Sequence, residues 1–223
     1  SFAYSYNINK FFWPQKVNIR LYFVKSFNYC SHMFAFKKKY FLIIESIKDI
    51  NLRNIKRYNK FIIIYRNREI KEDINELIKF RKECRLKLIG FYVANNIKLS
   101  TLLHSDGIYL SSYNKSFKAL NFKNSKFKII GSAHNTSEIS DKIKQGCKYV
   151  FLSKLFSVDY AKKSPYLDVI KFNEYSNKFR KKLVPLGGIK TKNLNKLKYV
   201  NCEAFAILSE IKKKPAKIIS RLF

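Results

Sequence analysis

The chain has 223 residues, 47% of them hydrophobic, enough to bury one large core that a single α/β barrel would nearly exhaust. That composition excludes a disordered or fibrous chain. A formal charge of +31, from 46 Lys+Arg against 15 Asp+Glu, invites a nucleic-acid reading, but the lysines are spread along the whole chain and travel with many Asn, Ile, Phe and Tyr. A basic, solvated surface is therefore expected, with nucleic acid set aside as a partner.

Residues 1–32 carry Lys10, Lys16, Arg20 and Lys25, no acid and no regular period. They are predicted to be a non-barrel N-terminal extension. Either the extension lies upstream of the domain or the translation start is placed too early, with Met33 as the natural beginning. A targeting leader would need a compact apolar core and a small-residue cleavage site, which this stretch lacks. The barrel domain is assigned to residues 33–223.

From Tyr40 onward, short apolar or β-branched runs alternate with polar or amphipathic stretches, the pattern of a parallel sheet with crossover helices. Strands are predicted at Tyr40–Ile44, Phe61–Tyr65, Leu86–Val93, Gly107–Leu110, Phe127–Gly131, Tyr149–Ser153, Leu183–Leu186 and Ala204–Ile207. Helices are predicted at Ile70–Cys84, with Ile74, Leu77, Ile78 and Cys84 on one apolar face, and at Thr136–Gln145, stopped by Gly146. Eight such units describe a single-domain (β/α)8 TIM barrel with its site at the C-terminal ends of the strands. A doubly wound open sheet is the alternative, but no G-x-G-x-x-G follows the first strand.

Cys30, Cys84, Cys147 and Cys202 are scattered without a C-x-x-C pair, and His32, His104 and His134 form no ligand pair. Neither zinc nor a disulfide framework is expected, and a reducing cytoplasm is the default location. No run of about 18 apolar residues suits a membrane span.

Two places carry chemistry. Leu183-Val184-Pro185-Leu186 breaks into Gly187-Gly188-Ile189, and Ala204-Phe205-Ala206-Ile207 ends at Leu208-Ser209 before a basic helical pattern. Strands that end in small or hydroxyl residues present bare backbone N–H groups, which is what a phosphate needs. The second place is Ser132 and His134, which strand alternation puts on one face at the end of the fifth strand.

From Tyr40 to Ile211 these residues resemble the thiamine phosphate synthase/TenI family of barrels. Tyr40-Phe41-Leu42-Ile43-Ile44 is similar to its first strand, and Ile64-Tyr65-Arg66-Asn67-Arg68 stands where the family has Gln-x-Arg-x-Lys. Ser105-Asp106-Gly107-Ile108-Tyr109-Leu110 resembles "aDGvHLg", and Gly131-Ser132-Ala133-His134 resembles "G-x-S-x-H". Tyr149-Val150-Phe151-Leu152-Ser153 followed by Phe156 resembles "DYvglGpvF". Pro185-Leu186-Gly187-Gly188-Ile189 matches "aIGGI", and Ala204-Phe205-Ala206-Ile207-Leu208-Ser209 matches "GvAviSai".

The resemblance implies thiamine biosynthesis, in which hydroxymethylpyrimidine diphosphate is joined to a thiazole phosphate with release of pyrophosphate. It implies that Gly187, Gly188, Leu208 and Ser209 cradle the thiazole phosphate, and that Arg66 and Arg68 meet the diphosphate. The family's magnesium aspartates fall on Asn95, or its neighbour Asn96, and on Asn114. Asparagine carbonyls hold a hard cation less well than carboxylates, so Mg2+, the cofactor implied, is expected to bind weakly if it binds. The family's Thr-x-Thr-Lys loop is replaced by Ser157-Val158-Asp159-Tyr160-Ala161-Lys162-Lys163, where Lys162 and Lys163 could take its cationic part. These departures resemble the TenI branch, a thiazole tautomerase that would use His134 and Ser132 without a metal. A non-catalytic barrel that keeps phosphate-ligand binding is the third reading, and a basic nucleic-acid binder, resting on charge alone, the fourth.

Overall fold

The computed structural model describes residues 39–55, 58–67, 72–123, 126–159, 163–179, 182–213, 215–220 and 222. The segment 1–32 read as an extension lies outside the described residues, as do Arg68 and Lys162.

Eight strands form one parallel sheet: β1 (Lys39–Ile44), β2 (Phe61–Tyr65), β3 (Gly90–Ala94), β4 (Gly107–Leu110), β5 (Lys128–Ala133), β6 (Tyr149–Ser153), β7 (Leu183–Leu186) and β8 (Ala204–Ile207). Each strand pairs in parallel with the next from β1 to β7, and β1 also pairs with β8, Tyr40 opposite Phe205. The hydrogen-bonded order runs β7-β6-β5-β4-β3-β2-β1-β8, and β7 packs against β8 to bring the two ends together. The fold is thus the TIM barrel expected, nearly closed by ladders and completed by packing.

The gap has a local cause. Carbonyls of Lys182 and Leu186 accept from Val150 and Leu155 at 3.0 and 2.9 Å, so the even-numbered residues of β7 face β6. Pro185 therefore sits on the β8 side, where the strand needs a donor and proline has none.

The outer layer is shorter than eight full helices. Helix α1 (Ile74–Leu86) follows β2, α2 (Ile97–Leu102) follows β3, α3 (Thr136–Lys144) follows β5, α4 (Asp168–Lys178) follows β6, and α5 (Ser209–Lys213) with α6 (Pro215–Ser220) follow β8. Short 3-10 turns take the place of helices after β1, β4 and β7. The predicted third strand is corrected: α1 continues through Leu86, and β3 begins at Gly90. The predicted apolar face of this helix is corrected too, since Ile74 and Ile78 are exposed while Leu77, Phe80, Arg81 and Cys84 are buried. Arg81 can be buried because it is paired, to Asp106 at 2.9 Å and the His104 carbonyl at 3.0 Å. Asp106 in turn accepts the Phe91 N–H at 2.8 Å. The acid of the "aDGvHLg" resemblance thus secures the bottom of the barrel, the end at which residues serve stability rather than chemistry.

Side-chain alternation builds two cores. Tyr40, Leu42 and Ile44 of β1 point out under the helices, and Phe41 and Ile43 point into the ring. Inside, Phe41 packs on Phe151 at 4.8 Å between ring centroids and Tyr109 on Phe151 at 5.5 Å, facing the small Ala204 and Ala206. The ring is therefore plugged below its C-terminal mouth. Cys84, Cys147 and Cys202 are in no disulfide, and burial pushes the Cys84 and Cys147 thiols up to about 12, so they stay protonated at neutral pH. Phe151→Ala is expected to lower the unfolding free energy by about 3–5 kcal/mol in urea titrations. A loss below about 1 kcal/mol would contradict a packed interior centred on this ring.

Candidate active site

Above the plug, the strand ends enclose a cavity of about 400 Å3. It is lined by Arg66 from β2, Tyr109 and Ser112 from β4 and its turn, Ser132 and His134 from β5, Ser153 and Lys154 from β6, Leu186, Gly187, Gly188 and Ile189 from β7, and Ala206, Leu208 and Ser209 from β8, with Val158 beside them. Seven of the residues singled out in the sequence meet here: Arg66, Ser132, His134, Gly187, Gly188, Leu208 and Ser209. Among the described residues that line it there is no aspartate or glutamate, so the mouth suits an anion.

The glycine turn is shaped by its neighbours. Gly187 and Gly188 have φ of +90° and +71°, conformations an L side chain rarely adopts. A Cβ on Gly188 would stand 2.3 Å from the Phe156 carbonyl oxygen and 2.7 Å from that of Ser157, so the β6 loop can lie here only over a glycine. The carbonyls of the turn are consumed: Gly187 accepts the Phe156 N–H at 3.1 Å and Gly188 accepts Asn193 Nδ2 at 2.7 Å. That orientation leaves the amide side of the turn for a ligand.

Ser132 is buried and His134 exposed on the same rim, as strand alternation predicts. The His134 N–H donates to Glu138 Oε2 at 2.9 Å, fixing the chain where β5 enters α3. His134 Nδ1 lies 2.9 Å from Ser153 Oγ. With Nδ1 engaged in this way, Nε2 is the ring nitrogen left to exchange a proton.

Asn95 and Asn114 come together, but at a neighbouring cavity of about 730 Å3 under the β4 turn rather than in the mouth. Asn95 Oδ1 accepts the Ser111 N–H at 2.9 Å and Asn114 Nδ2 at 3.1 Å, and Asn114 Oδ1 accepts the Ser116 N–H at 3.0 Å. Backbone N–H groups only donate, so both amide orientations are fixed. Asn95 Nδ2 donates to Ser111 Oγ at 2.8 Å and Tyr113 Oη at 3.0 Å. Its carbonyl oxygen has both lone pairs engaged, and the group that Asn114 turns toward it is a donor. Such a pair does not fit a hard divalent cation, which needs free oxygen ligands. Among the described residues no three His, Cys, Asp or Glu converge on a metal site. Asn96 is occupied as the cap of α2, accepting the Leu99 N–H at 2.9 Å. The Asn114 carbonyl is held from below by the buried Lys142, 2.6 Å away, and by Gln145 Nε2 at 3.1 Å. Burial lowers the Lys142 ammonium from its ordinary range.

Lys163 is exposed and does not line the mouth; Arg68 and Lys162 are outside the described residues. Lys154, Ser153, Tyr109 and Ser112 are lining residues that sequence reasoning passed over. For Lys154 the available signal was a departure inside a quoted motif, since it stands where "DYvglGpvF" has proline.

With this geometry in hand, comparison places the chain. It belongs to the thiamine monophosphate synthase (TMP-TENI) family, which it matches over residues 51–211. A thiamine-phosphate synthase of Prochlorococcus marinus subsp. pastoris is 27% identical over 170 residues, 75% of this chain and 47% of that protein. One from Persephonella marina is 27% identical over 159 residues, 67% of this chain and 73% of that protein. The chain thus spans about half the length of the first of these relatives. A solved structure of thiamine phosphate pyrophosphorylase from Pyrococcus furiosus superposes with a TM-score of 0.65 at 16% identity, covering 84% of this chain and 94% of that one, which establishes the shared barrel. Among the described residues no helix is long and apolar enough to cross a membrane.

Gly188→Val is expected to lift the β6 loop from the mouth and abolish binding of a phosphorylated thiazole in calorimetric titration. Unchanged affinity in a variant whose circular dichroism matches wild type would count against this turn as the phosphate cradle.

Proposed function

We propose that the chain acts in thiamine biosynthesis, binding a thiazole phosphate in the barrel mouth and coupling it to hydroxymethylpyrimidine diphosphate. The observation that carries this reading is the cavity joining the Gly187-Gly188 turn and Ser209 to Arg66, with no acid among its described lining residues. Loops after strands seven and eight are the habitual phosphate site of such barrels. In this assignment the amides of Gly187 and Gly188, with Leu208 and Ser209, receive the thiazole phosphate.

Arg66 reaches in from β2 toward the diphosphate of the second substrate. Its guanidinium can stabilise charge gathering on a departing pyrophosphate. The C–O bond between the pyrimidine methylene and the diphosphate breaks with the electron pair leaving on pyrophosphate. The thiazole nitrogen lone pair then forms the new C–N bond to that carbon. Tyr109, Val158, Leu186 and Ile189 line the cavity and exclude water that would otherwise capture the methylene cation. Magnesium has no part in this sequence, because the asparagine pair does not suit it.

The Ser153 contact on His134 Nδ1 favours a second reading, a thiazole tautomerase in which His134 Nε2 moves a proton with Ser132 alongside. Purified protein incubated with both synthase substrates, followed by mass spectrometry, is expected to yield thiamine phosphate and pyrophosphate. Absence of product together with isomerisation of an aminothiazole or carboxythiazole phosphate would replace the first reading by the second. In that case His134→Ala should lose roughly 100-fold or more in turnover, and full residual turnover would remove its acid–base role.

A further inference from the structure

We infer that Lys154 is the built-in cation of this mouth, holding a diphosphate together with Arg66 and in place of a divalent ion. The inference rests on the anion-binding reading above and goes beyond it by naming the group that carries the charge.

Five observations support it. The asparagine pair is closed to a cation, as both lone pairs of the Asn95 carbonyl are taken by Ser111 and Asn114. Lys154 is secured at the backbone, its carbonyl accepting the Leu167 N–H at 2.9 Å and the next residue's N–H reaching Leu186 at 2.9 Å. Its stem lies over the glycine turn: a Cβ on Gly187 would stand 3.3 Å from Lys154 Cα and Cβ and 3.4 Å from Cγ. Its ammonium donates to Ser164 Oγ, a neutral hydroxyl. The described carboxylate of the same loop, Asp159, is committed to Lys190 and Lys213. Among the described residues no carboxylate lining the cavity cancels the positive charge of Lys154, and a phosphate oxygen would be a better acceptor than the serine it now meets.

Position in the ring decides what these two cations can grip. Arg66 follows β2 and Lys154 follows β6, four strands apart in a ring of eight. They therefore enter the same cavity from opposite sides. A single phosphate seated at Gly188 and Ser209 needs only the turn, whereas a diphosphate carries charge enough to engage both. Lysine supplies a compact charge with rotatable donors, suited to phosphate without a bidentate geometry.

The test titrates the full chain, in chelator, with inorganic pyrophosphate and separately with thiazole phosphate. Pyrophosphate is expected to bind without metal, and Lys154→Met to weaken it roughly 10- to 100-fold, the range of one hydrogen bond to a charged group. Thiazole phosphate affinity should stay within about threefold, and Lys154→Arg should restore pyrophosphate binding, which separates lost charge from misfolding. Pyrophosphate binding that appears only with magnesium, or that survives Lys154→Met unchanged, would overturn the inference while leaving thiazole phosphate binding intact. Failure of the wild-type chain to bind either ligand would overturn both this inference and the function on which it rests.

Discussion

The mouth of this barrel depends on one close approach, the backbone of Phe156 and Ser157 lying directly on Gly188. That contact locks three consecutive crossovers together. The β6 loop donates its Phe156 N–H to Gly187, the turn after β7 is steadied by Asn193 on the Gly188 carbonyl, and Glu210 of α5 accepts from Thr191 Oγ1 at 3.0 Å, tying the segment after β7 to the end of β8. Since β7 and β8 share packing rather than a ladder, these cross-links also hold the seam of the ring. A side chain at position 188 would disturb the seam and the site at one point.

Electrostatics then determine what the mouth can hold. Among the described residues its lining has cations on opposite rims, hydroxyls between them and no carboxylate. An anion gains from this field without first displacing an acid. The amide pair at Asn95 and Asn114 turns a place that carboxylates would make attractive to a metal into a closed set of neutral hydrogen bonds, anchored on backbone donors and supported by the buried Lys142.

Much of this was legible in the sequence because it is local. Seven strands lie within two residues of their predicted ends, since short β-branched runs between polar stretches have few other ways to be buried. Gly146 ends α3 as anticipated, its N–H on Ile143 and the Cys147 N–H on Lys142 forming the expected helix-stop pair. The β3 boundary escaped because α1 stops in the same manner with Leu88 at φ +53°, where glycine would have marked the turn. The run Leu86–Val93, apolar but for Lys87 and Gly90, then looked like strand. Ser132 and His134 could be placed together by alternation alone, and Gly187, Gly188 and Ser209 by their positions at two strand ends. The Asn95–Asn114 bond joins residues far apart in sequence through a turn, and nothing local distinguishes an amide that binds its partner from one that faces a ligand. Lys154 was hidden likewise, one lysine among many until the ring placed it opposite Arg66.

The most direct measurement of the central claim is a crystal structure of the chain soaked with a phosphorylated thiazole. The account requires the phosphate to lie within hydrogen-bonding distance of the Gly188 and Ser209 amides, with the ring directed toward His134 and Tyr109. Density for the ligand at another face of the barrel, or a mouth left empty at saturating concentration, would contradict it.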